Sequence, residues 1–268
     1  MARMTGLNSN TTFKSYLINL DGSADRLASA RRQFETHKIA FERVSAVNGH
    51  KLSLETLKDY NAQKTECYMG RQMSGGEIGC VLSHLKALRE FLASDAPYAI
   101  VFEDDFLLHD DFLSTVNSTI DWLSTSNYVW DIVHLSFEGR KYSRPRARVG
   151  KSELRHTYYF PMTSTAILWS REGAEAFLEF HREILAPYDN ILREWQSHRG
   201  KGLALYPPIA STIGGASDID GGKPRNRNRK SSILYGIRKK RRSIVLKWRA
   251  MSHILQESKK TALPVSAR

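Results

Sequence analysis

The sequence predicts an α/β fold in which a mainly parallel central sheet is flanked by helices. Short apolar segments of strand length alternate with segments of helical spacing along most of the chain. Hydrophobic residues make up 41% and aromatic residues 10% of the 268 residues, which suffices for a core and excludes a disordered or collagen-like chain. No repeat is visible, so the length indicates one large domain with an appendage.

The predicted elements follow in order from apolar runs, helical spacing and turn residues. We expect strands at 15–20, 41–47, 99–102, 130–135, 166–169 and 203–206. We expect helices at 24–36, 52–61, 78–93, 112–123 and 171–185, and a further helix-like segment at 190–195. Ligands bind beyond the carboxyl ends of the strands in such sheets, so the residues that follow each strand are the first candidates for chemistry.

The net charge of +12 is concentrated in the last part of the chain. Residues 221–268 carry a net charge of +14, whereas residues 1–220 carry −2. Nucleic-acid-binding domains carry their basic patch on the fold itself, so this division favours a nearly neutral globular body with a basic arm. We therefore predict a polar segment at 1–13, a domain at 14–220 and a basic tail at 221–268. The boundary is marked by Gly214, Gly215, Gly221, Gly222 and Pro224.

The tail contains a predicted amphipathic helix over 236–256. Lysines and arginines are interspersed with apolar residues at helical spacing, namely Ile237, Ile244, Trp248, Met251 and Leu255. Such a helix can lie in an anionic membrane interface, where each cation contributes about 1 kcal/mol. The alternatives are a terminal helix packed on the body and, third, an RNA-binding arm. We place the membrane first because so many uncompensated cations exceed what solubility requires.

Neither cysteine content nor the start of the chain indicates secretion. Cys67 and Cys80 are too few for a disulfide framework or a four-cysteine zinc site. The first residues are polar and lack the apolar core of a signal peptide, and no apolar run approaches the roughly 18–20 residues that span a bilayer. We expect a cytoplasmic protein that lies on the inner face of the cell membrane and contacts its anionic surface through residues 221–260.

Three consecutive acids, Glu103, Asp104 and Asp105, follow the apolar strand predicted at 99–102. Like charges this close repel one another, and a divalent cation on a nucleotide diphosphate would compensate them. Carboxylates suit Mg²⁺ or Mn²⁺. Alternation along a strand places Glu103 and Asp105 on one side, as metal ligands, and Asp104 on the other, facing the ribose or sugar of a donor. The alternative is an acidic cap between the strand and the next helix.

Segment 74–87 combines glycines with Cys80, Ser83 and His84 at the start of a predicted helix. Glycines before a helix allow a ligand to approach closely, and the helix start attracts anions. The spacing matches neither GxGxxG nor GxxxxGK[ST], which disfavours a dinucleotide fold and a P-loop. Cys80 and His84 have i, i+4 spacing that can in principle ligate a metal, but no further pair of ligands is evident. A buried histidine is more often a hydrogen-bonded core residue than a catalyst.

The end of the first strand is the third candidate, because Asn19 and Leu20 are followed by Arg26 one turn into a helix. A strand end with an arginine can hold a base and a phosphate, since the planar guanidinium matches phosphate oxygens. A helix cap at Asp25 explains the same residues equally well.

Taken together, these segments resemble glycosyltransferase family 25, the bacterial lipopolysaccharide sugar transferases. The resemblance runs in order over about residues 14–215 and leaves out the basic tail. Its matching segments are Tyr16–Leu20 with Asp25-Arg26, Phe41–Gly49, Gly76–His84 and Ala99–Asp105, with weaker matches at Thr165–Leu168, Gly173-Ala174, Pro187–Asn190 and Pro207-Pro208.

The resemblance implies a GT-A-like fold, a nucleotide-sugar donor such as UDP-galactose, and inversion at the anomeric carbon. In metal-using members it also implies Mn²⁺ or Mg²⁺ at the acidic motif. Inversion requires a base for the acceptor hydroxyl; the candidates are Asp189, Glu77 and His84, and we favour Asp189, for which a helix N-cap is the alternative role. The predicted donor-binding residues are Asn19, Leu20, Arg26, Asn48, Gly49, Ser83 and Asp104.

We therefore expect a glycosyltransferase that moves a hexose, with galactose first, from a nucleotide sugar to a lipopolysaccharide or other glycan. Two alternatives belong to other classes. One is a polyanion- or nucleic-acid-binding protein acting through the tail, for which the sequence offers no base-stacking motif. The other is a non-catalytic relative, against which the intact acidic triplet argues.

Overall fold

An eight-stranded sheet forms the centre of the computed structural model, which describes residues 13–55, 57–214 and 233–262. The strands are β1 (Phe13–Asn19), β2 (Glu42–Ser45), β3 (Tyr98–Glu103), β4 (Phe106–Leu108), β5 (Ile132–His134), β6 (Ser143–Val149), β7 (Ser152–Thr157), β8 (Ala166–Ser170), β9 (Gly202–Tyr206) and β10 (Ala210–Thr212). The helices are α1 (Ala24–Thr36), α2 (Ala62–Met69), α3 (Gly75–Leu92), α4 (Phe112–Thr125), α5 (Arg171–Phe180), α6 (Tyr188–Arg199) and α7 (Ile233–Ala262), with a 3-10 turn at Gly49–Lys51.

The strands lie in the order β2-β1-β3-β8-β5-β9-β7-β6, and β4 pairs with β10 in a separate antiparallel ribbon. In the large sheet only β8 and β7 run against the direction of the others. The predicted α/β fold with a mainly parallel central sheet flanked by helices is therefore confirmed. The carboxyl ends of β1, β2 and β3 meet at one edge.

Two hydrophobic cores lie on opposite faces of the sheet, and β3 contributes to both. Ile100 and Phe102 belong to the core that includes residues of α1 and α4, whereas Ala99 and Val101 belong to the core that includes residues of α3, α5 and α6. This is the period of two expected of a strand buried on both sides. The same alternation directs Glu103, the last residue of β3, toward α3.

Helix α7 confirms the predicted helix in the tail and packs against the body. Ala250 is fully buried, and the Arg242 guanidinium lies 3.6 Å from the ring centroid of Tyr68 on α2. Further along, Glu257 pairs with Arg146 of β6. The predicted boundary glycines beyond Gly214, like residues 1–12, lie outside the described residues.

The apolar residues named in the tail form an outward stripe on α7, which we call the α7 stripe. They are Ile237, Ile244, Trp248, Met251 and Leu255, and each exposes between 45% and 72% of its surface. None of the helices in the described ranges combines the length and apolar character needed to cross a bilayer. The helix is thus packed on the body along one side and apolar and exposed along another.

The predicted helix at 52–61 is wrong. Its described residues form turns, and the helix α2 begins only at Ala62, where the Asn61 side chain accepts a hydrogen bond from the Lys64 amide at 2.9 Å. Leu52, Leu54 and Leu57 each pack against the core that includes residues of α3, which we call the α3-side core. They hold a loop in place and do not form one face of a helix. The helix predicted at 171–185 ends early, at Phe180.

Candidate active site

A cleft opens at the carboxyl ends of β1, β2 and β3, beside the start of α3. It is lined by every residue predicted to bind the donor or a metal, together with Cys80 and His84. The predicted residues are Asn19, Leu20, Arg26, Asn48, Gly49, Ser83, Glu103, Asp104 and Asp105. Asp189 and Glu77 are not among the lining residues.

Close backbone packing holds one wall of the cleft. A Cβ atom added to Gly49 would lie 1.6 Å from the Gly75 carbonyl oxygen, and one added to Gly79 would lie 2.5 Å from the Val47 carbonyl oxygen. Side chains at these positions would push the start of α3 away from the loop after β2. Ser83 adds to this contact by accepting a hydrogen bond from the Val47 amide at 2.8 Å. Gly49, Gly75 and Gly79 thus serve chain packing. Gly49 and Gly79 also line the cleft, and the close approach of a ligand to the glycines before the helix stays a prediction.

Asp104 is held by the wall formed by β1 and α1. One carboxylate oxygen lies 2.9 Å from Nη1 of Arg26, and the other accepts a hydrogen bond from the Asn19 side-chain Nδ2 at 2.7 Å. Arg43 in turn donates to the Asn19 side-chain oxygen at 3.0 Å. Asp104 therefore points away from Glu103, as predicted, but protein donors compensate its charge. It is a group that orients Arg26 at the edge of the cleft.

Glu103 lies at the floor of the cleft. Its Oε1 atom accepts from Ser164 at 2.5 Å and lies 3.0 Å from Nε2 of His84. Burial alone would raise the pKa of Glu103, but these hydrogen bonds and the His84 ring keep that pKa below its usual value. The His84 ring is itself buried and stacks on Tyr188, with centroids 3.8 Å apart. His84 thus orients Glu103.

Asp105 carries an unusual buried atom. Its Oδ2 accepts from the Thr212 hydroxyl at 3.1 Å, whereas its Oδ1 is buried and has no hydrogen-bond partner among the described residues. Burial and the nearby charge of Glu103 raise the pKa of Asp105. A buried, unsatisfied carboxylate oxygen costs free energy, and a bound cation would remove that cost.

Asp189 lies in the first turn of α6, directly after Tyr188, whose ring covers His84. The N-cap of α6 is Pro187, so the predicted alternative role of Asp189 as N-cap is wrong. Its Oδ1 accepts from the Asn190 amide at 3.0 Å. Burial and the charge of Glu103 raise the pKa of Asp189, which makes its carboxylate a stronger base than an exposed one.

Glu77 does not have the surroundings of a base. Its two carboxylate oxygens lie 2.5 Å and 2.7 Å from the guanidinium of Arg71, and the Ser74 amide donates to Oε2 at 2.9 Å. The Glu77 backbone amide donates in turn to the Ser74 hydroxyl oxygen, which completes a capping box at the start of α3. The predicted base role of Glu77 is therefore replaced by a structural one.

Sequence reasoning missed two polar residues of the site and set a third aside. Ser164 and Thr212 approach Glu103 and Asp105 from distant parts of the chain, and neither belongs to a motif. Cys80 was considered and set aside for lack of a further ligand pair, yet its sulfur lies near His84 and Glu103. Burial and the surrounding carboxylates raise the pKa of the Cys80 thiol well above its usual value.

The sequence profile of one protein family matches more than half of the chain. The family is described as Glycosyltransferase family 25 (LPS biosynthesis protein), and the match covers residues 12–192. These residues contain the three strands that form the cleft, the acidic triplet and the first turns of α6.

Curated relatives are similar over about half of the chain. The chain is 31% identical over 134 residues to procollagen galactosyltransferase 1-A of Xenopus laevis, with 47% of the chain and 21% of that protein covered. It is 30% identical over 138 residues to probable inactive glycosyltransferase 25 family member 3 of Rattus norvegicus, with 50% and 24% covered. It is 25% identical over 138 residues to procollagen galactosyltransferase 2 of Homo sapiens, with 50% and 22% covered. The chain thus spans about a quarter of these relatives' length or less.

Solved structures show weaker likeness. One is a glycosyltransferase involved in the glycosylation of the major capsid of PBCV-1, with 12% identity, 78% of this chain and 96% of that chain covered, and a TM-score of 0.38. Another is a putative glucose-1-phosphate thymidylyltransferase from Bacillus anthracis, with 9% identity, 82% and 79% covered, and a TM-score of 0.36. The fold assignment therefore depends on the sheet and helices themselves.

Proposed function

The chain belongs to glycosyltransferase family 25, and from this premise we propose that it transfers a hexose from a nucleoside-diphosphate sugar to a glycan hydroxyl. The observation that carries the proposal is the buried Oδ1 atom of Asp105, which has no hydrogen-bond partner among the described residues. Asp105 lines the cleft, two residues after the end of β3. The similarity to procollagen galactosyltransferases makes UDP-galactose the first donor to test. The family description makes a lipopolysaccharide or related glycolipid the first acceptor.

The carboxylates of the cleft fit a divalent cation of the Mn²⁺ or Mg²⁺ type. Asp105 offers an oxygen that accepts no hydrogen bond from the described part of the chain, and hydrogen bonds with His84 and Ser164 lower the pKa of Glu103. Oxygen ligands of this kind are the ones that Mg²⁺ and Mn²⁺ prefer. When bound, the cation would neutralise charge on the departing nucleoside diphosphate. Asp105 is the principal ligand in this proposal and Glu103 the second.

The remaining walls of the cleft suit a nucleotide. The Arg26 guanidinium, fixed by Asp104, provides planar donors for phosphate oxygens. Asn48, Gly49 and Ser83 form the opposite side, where the backbone of the loop after β2 lies against α3. A donor placed between these walls would direct its diphosphate toward Asp105.

Asp189 is the proposed base. It lies in the first turn of α6, directly after Tyr188, whose ring stacks on His84, and it is not among the residues that line the cleft. An acceptor hydroxyl on this side would lose its proton to the Asp189 carboxylate while its oxygen attacks the anomeric carbon, and the nucleoside diphosphate would leave on the opposite face. The product therefore has inverted configuration.

Transfer assays on Asp105→Ala test the proposal. We expect wild-type protein to transfer a hexose from a nucleotide sugar in the presence of Mn²⁺ or Mg²⁺, and the variant to lose about 10³-fold in rate. Asp110→Ala, which removes an exposed acid close by in the chain, is the matched control and should keep the wild-type rate. A wild-type rate for Asp105→Ala contradicts the metal role. Absence of transfer and of hydrolysis with all donors and metals tried would favour a non-catalytic relative.

We also propose that the α7 stripe docks the enzyme on an anionic membrane surface. The stripe is apolar and exposed, with Trp248 the most exposed residue at 72%. The exposed cations Lys240, Arg241 and Lys247 lie beside the stripe on the same helix, and residues 221–268 carry a net charge of +14. An apolar stripe flanked by cations is the arrangement that binds the interface of anionic lipids.

Sedimentation with vesicles of anionic and zwitterionic composition tests the docking. The double variant Ile244→Glu, Trp248→Glu should lower the fraction bound to anionic vesicles about ten-fold, because it places two charges in the apolar stripe. Val129→Glu is the control, because Val129 is an exposed apolar residue that is not part of α7. Binding that persists in the double variant and falls steeply with salt would instead favour the polyanion alternative.

A further inference from the structure

We propose that Cys80, His84 and Glu103 form a second cation site on the cleft floor, one that takes Zn²⁺ or a similar thiol-binding ion. One ligand atom from each of these side chains, the Cys80 sulfur among them, lies within 4.8 Å of the other two. In the described part of the chain, this is the one group of three such side chains found at that spacing. The acidic triplet itself does not converge in this way.

Two rigid elements supply the three ligands. Cys80 and His84 are four residues apart on α3, so their side chains lie on the same helix face. Glu103 ends β3 and is directed toward that face by the alternation of the strand. The His84 ring is fixed by stacking on Tyr188, which orients its nitrogen toward the carboxylate. A site built on a helix and a strand needs little ordering when an ion binds.

The donor set selects the ion. Thiolate, imidazole and carboxylate are the ligands of Zn²⁺ sites, whereas Mg²⁺ and Mn²⁺ prefer oxygen ligands. All three side chains line the cleft, so a fourth position would face its interior, as in zinc sites with three protein ligands. On binding, the Cys80 thiol proton leaves to solvent, and the proton that His84 Nε2 shares with Glu103 is exchanged through solvent for one on Nδ1 of the same ring. Nε2 and the Glu103 carboxylate then each bond to the ion.

Glu103 links this site to the proposed donor cation. Under the proposed function the Glu103 carboxylate also helps Asp105 to bind the donor cation. A Glu103 carboxylate that is bound to Zn²⁺ is no longer available to that cation. Zn²⁺ should therefore weaken binding of UDP with Mn²⁺. This step depends on the proposed function, whereas the existence of the thiol site does not.

A Co²⁺ titration tests the site without any assay of transfer. The chain has two cysteines, and Cys67 is exposed on α2, so Cys67→Ser leaves Cys80 as the one thiol. We expect Co²⁺ to give the Cys67→Ser variant a saturable thiolate-to-cobalt charge-transfer band, which Zn²⁺ then abolishes. Cys80→Ser should lack the band. If no band forms in Cys67→Ser, or if the band persists in Cys80→Ser, the site is refuted.

Competition with the donor tests the link through Glu103. Saturating Zn²⁺ should raise the apparent Kd of UDP with Mn²⁺ about ten-fold in wild type and leave it unchanged in Cys80→Ser. A cobalt band without any UDP binding would retain the thiol site and overturn the proposed function. UDP binding without a cobalt band would overturn the thiol site and retain the proposed function. An equal effect of Zn²⁺ on both proteins would show that Zn²⁺ acts at the carboxylates alone and would overturn the proposed coupling.

Discussion

The charged side chains of the cleft and those of helix α7 differ in how many of them are paired within the protein. In the cleft, Asp104 and Glu103 are each held by side chains from other elements, and one oxygen of Asp105 is left without a partner among the described residues. On α7, a few contacts such as Arg242 on Tyr68 fix the inner side, while cations and the α7 stripe face outward. The charged groups that are paired within the protein stabilise the fold. The Asp105 oxygen and the exposed residues of α7, which are not paired in this way, indicate where a ligand would bind.

The largest effect expected from this comparison is on Asp189. Asp189→Asn removes the proposed base, so transfer should fall about 10²–10⁴-fold. In wild type, activity should fall as the pH drops through the raised pKa of Asp189, at a higher pH than for an ordinary aspartate, and the variant should lack this dependence. Rates across pH under saturating donor measure both.

The stability of the same variant separates a base from a structural group. A raised pKa in the folded state means that Asp189 contributes stability below its unfolded pKa and loses that contribution as the pH rises through the folded value. Asp189→Asn should therefore unfold at the same or a higher temperature than wild type at neutral pH. A strong loss of stability together with activity would make the residue structural.

Neighbouring acids of the cleft should respond to neutralisation with opposite signs. Asp104→Asn leaves Arg26 and Asn19 with a poorer acceptor and should lower the free energy of unfolding by about 1–3 kcal/mol. Asp105→Asn removes repulsion from Glu103 and should leave that free energy unchanged or raise it. Urea unfolding of both variants measures the difference, and equal losses would contradict the distinction.

Two positions on α7, one buried and one exposed, give the smallest expected effects, which are changes in the free energy of unfolding. Ala250 is fully buried, so Ala250→Leu should overpack the contact with the body and lower the free energy of unfolding by about 1–3 kcal/mol. Trp248→Ala lies on the outward stripe and should change it by less than about 0.5 kcal/mol. Thermal unfolding measures both. A large loss for Trp248→Ala would mean that the stripe packs against protein.

Local patterns predicted much of the fold. The helix predicted at 24–36 has the bounds of α1, because its amphipathic spacing and turn residues agree. The β6–β7 hairpin was missed, since its strands carry many charges and β6 contains Pro145 next to an irregular register. Leucines at 52–57 suggested a helix, yet their partners lie across the chain in the α3-side core. Spacing alone does not distinguish a helix from a loop with apolar anchors.

The site was predictable where motifs follow strands. Residues after β1, β2 and β3 converge because the carboxyl ends of parallel strands share one edge. The groups that tune them were not predictable: Ser164 is 61 residues from Glu103, and Thr212 is 107 residues from Asp105. Such pairs depend on the order of strands in the sheet, which no local period encodes.

The attachment of α7 has a consequence for acceptor length. Arg242 contacts Tyr68, and Tyr68 donates to Glu194 on α6, the helix that begins beside Asp189. An enzyme lying on lipid headgroups through α7 would hold its reaction centre at a constant height above them. The enzyme would then select acceptors by length, favouring those lipid-linked saccharides whose growing end reaches that height.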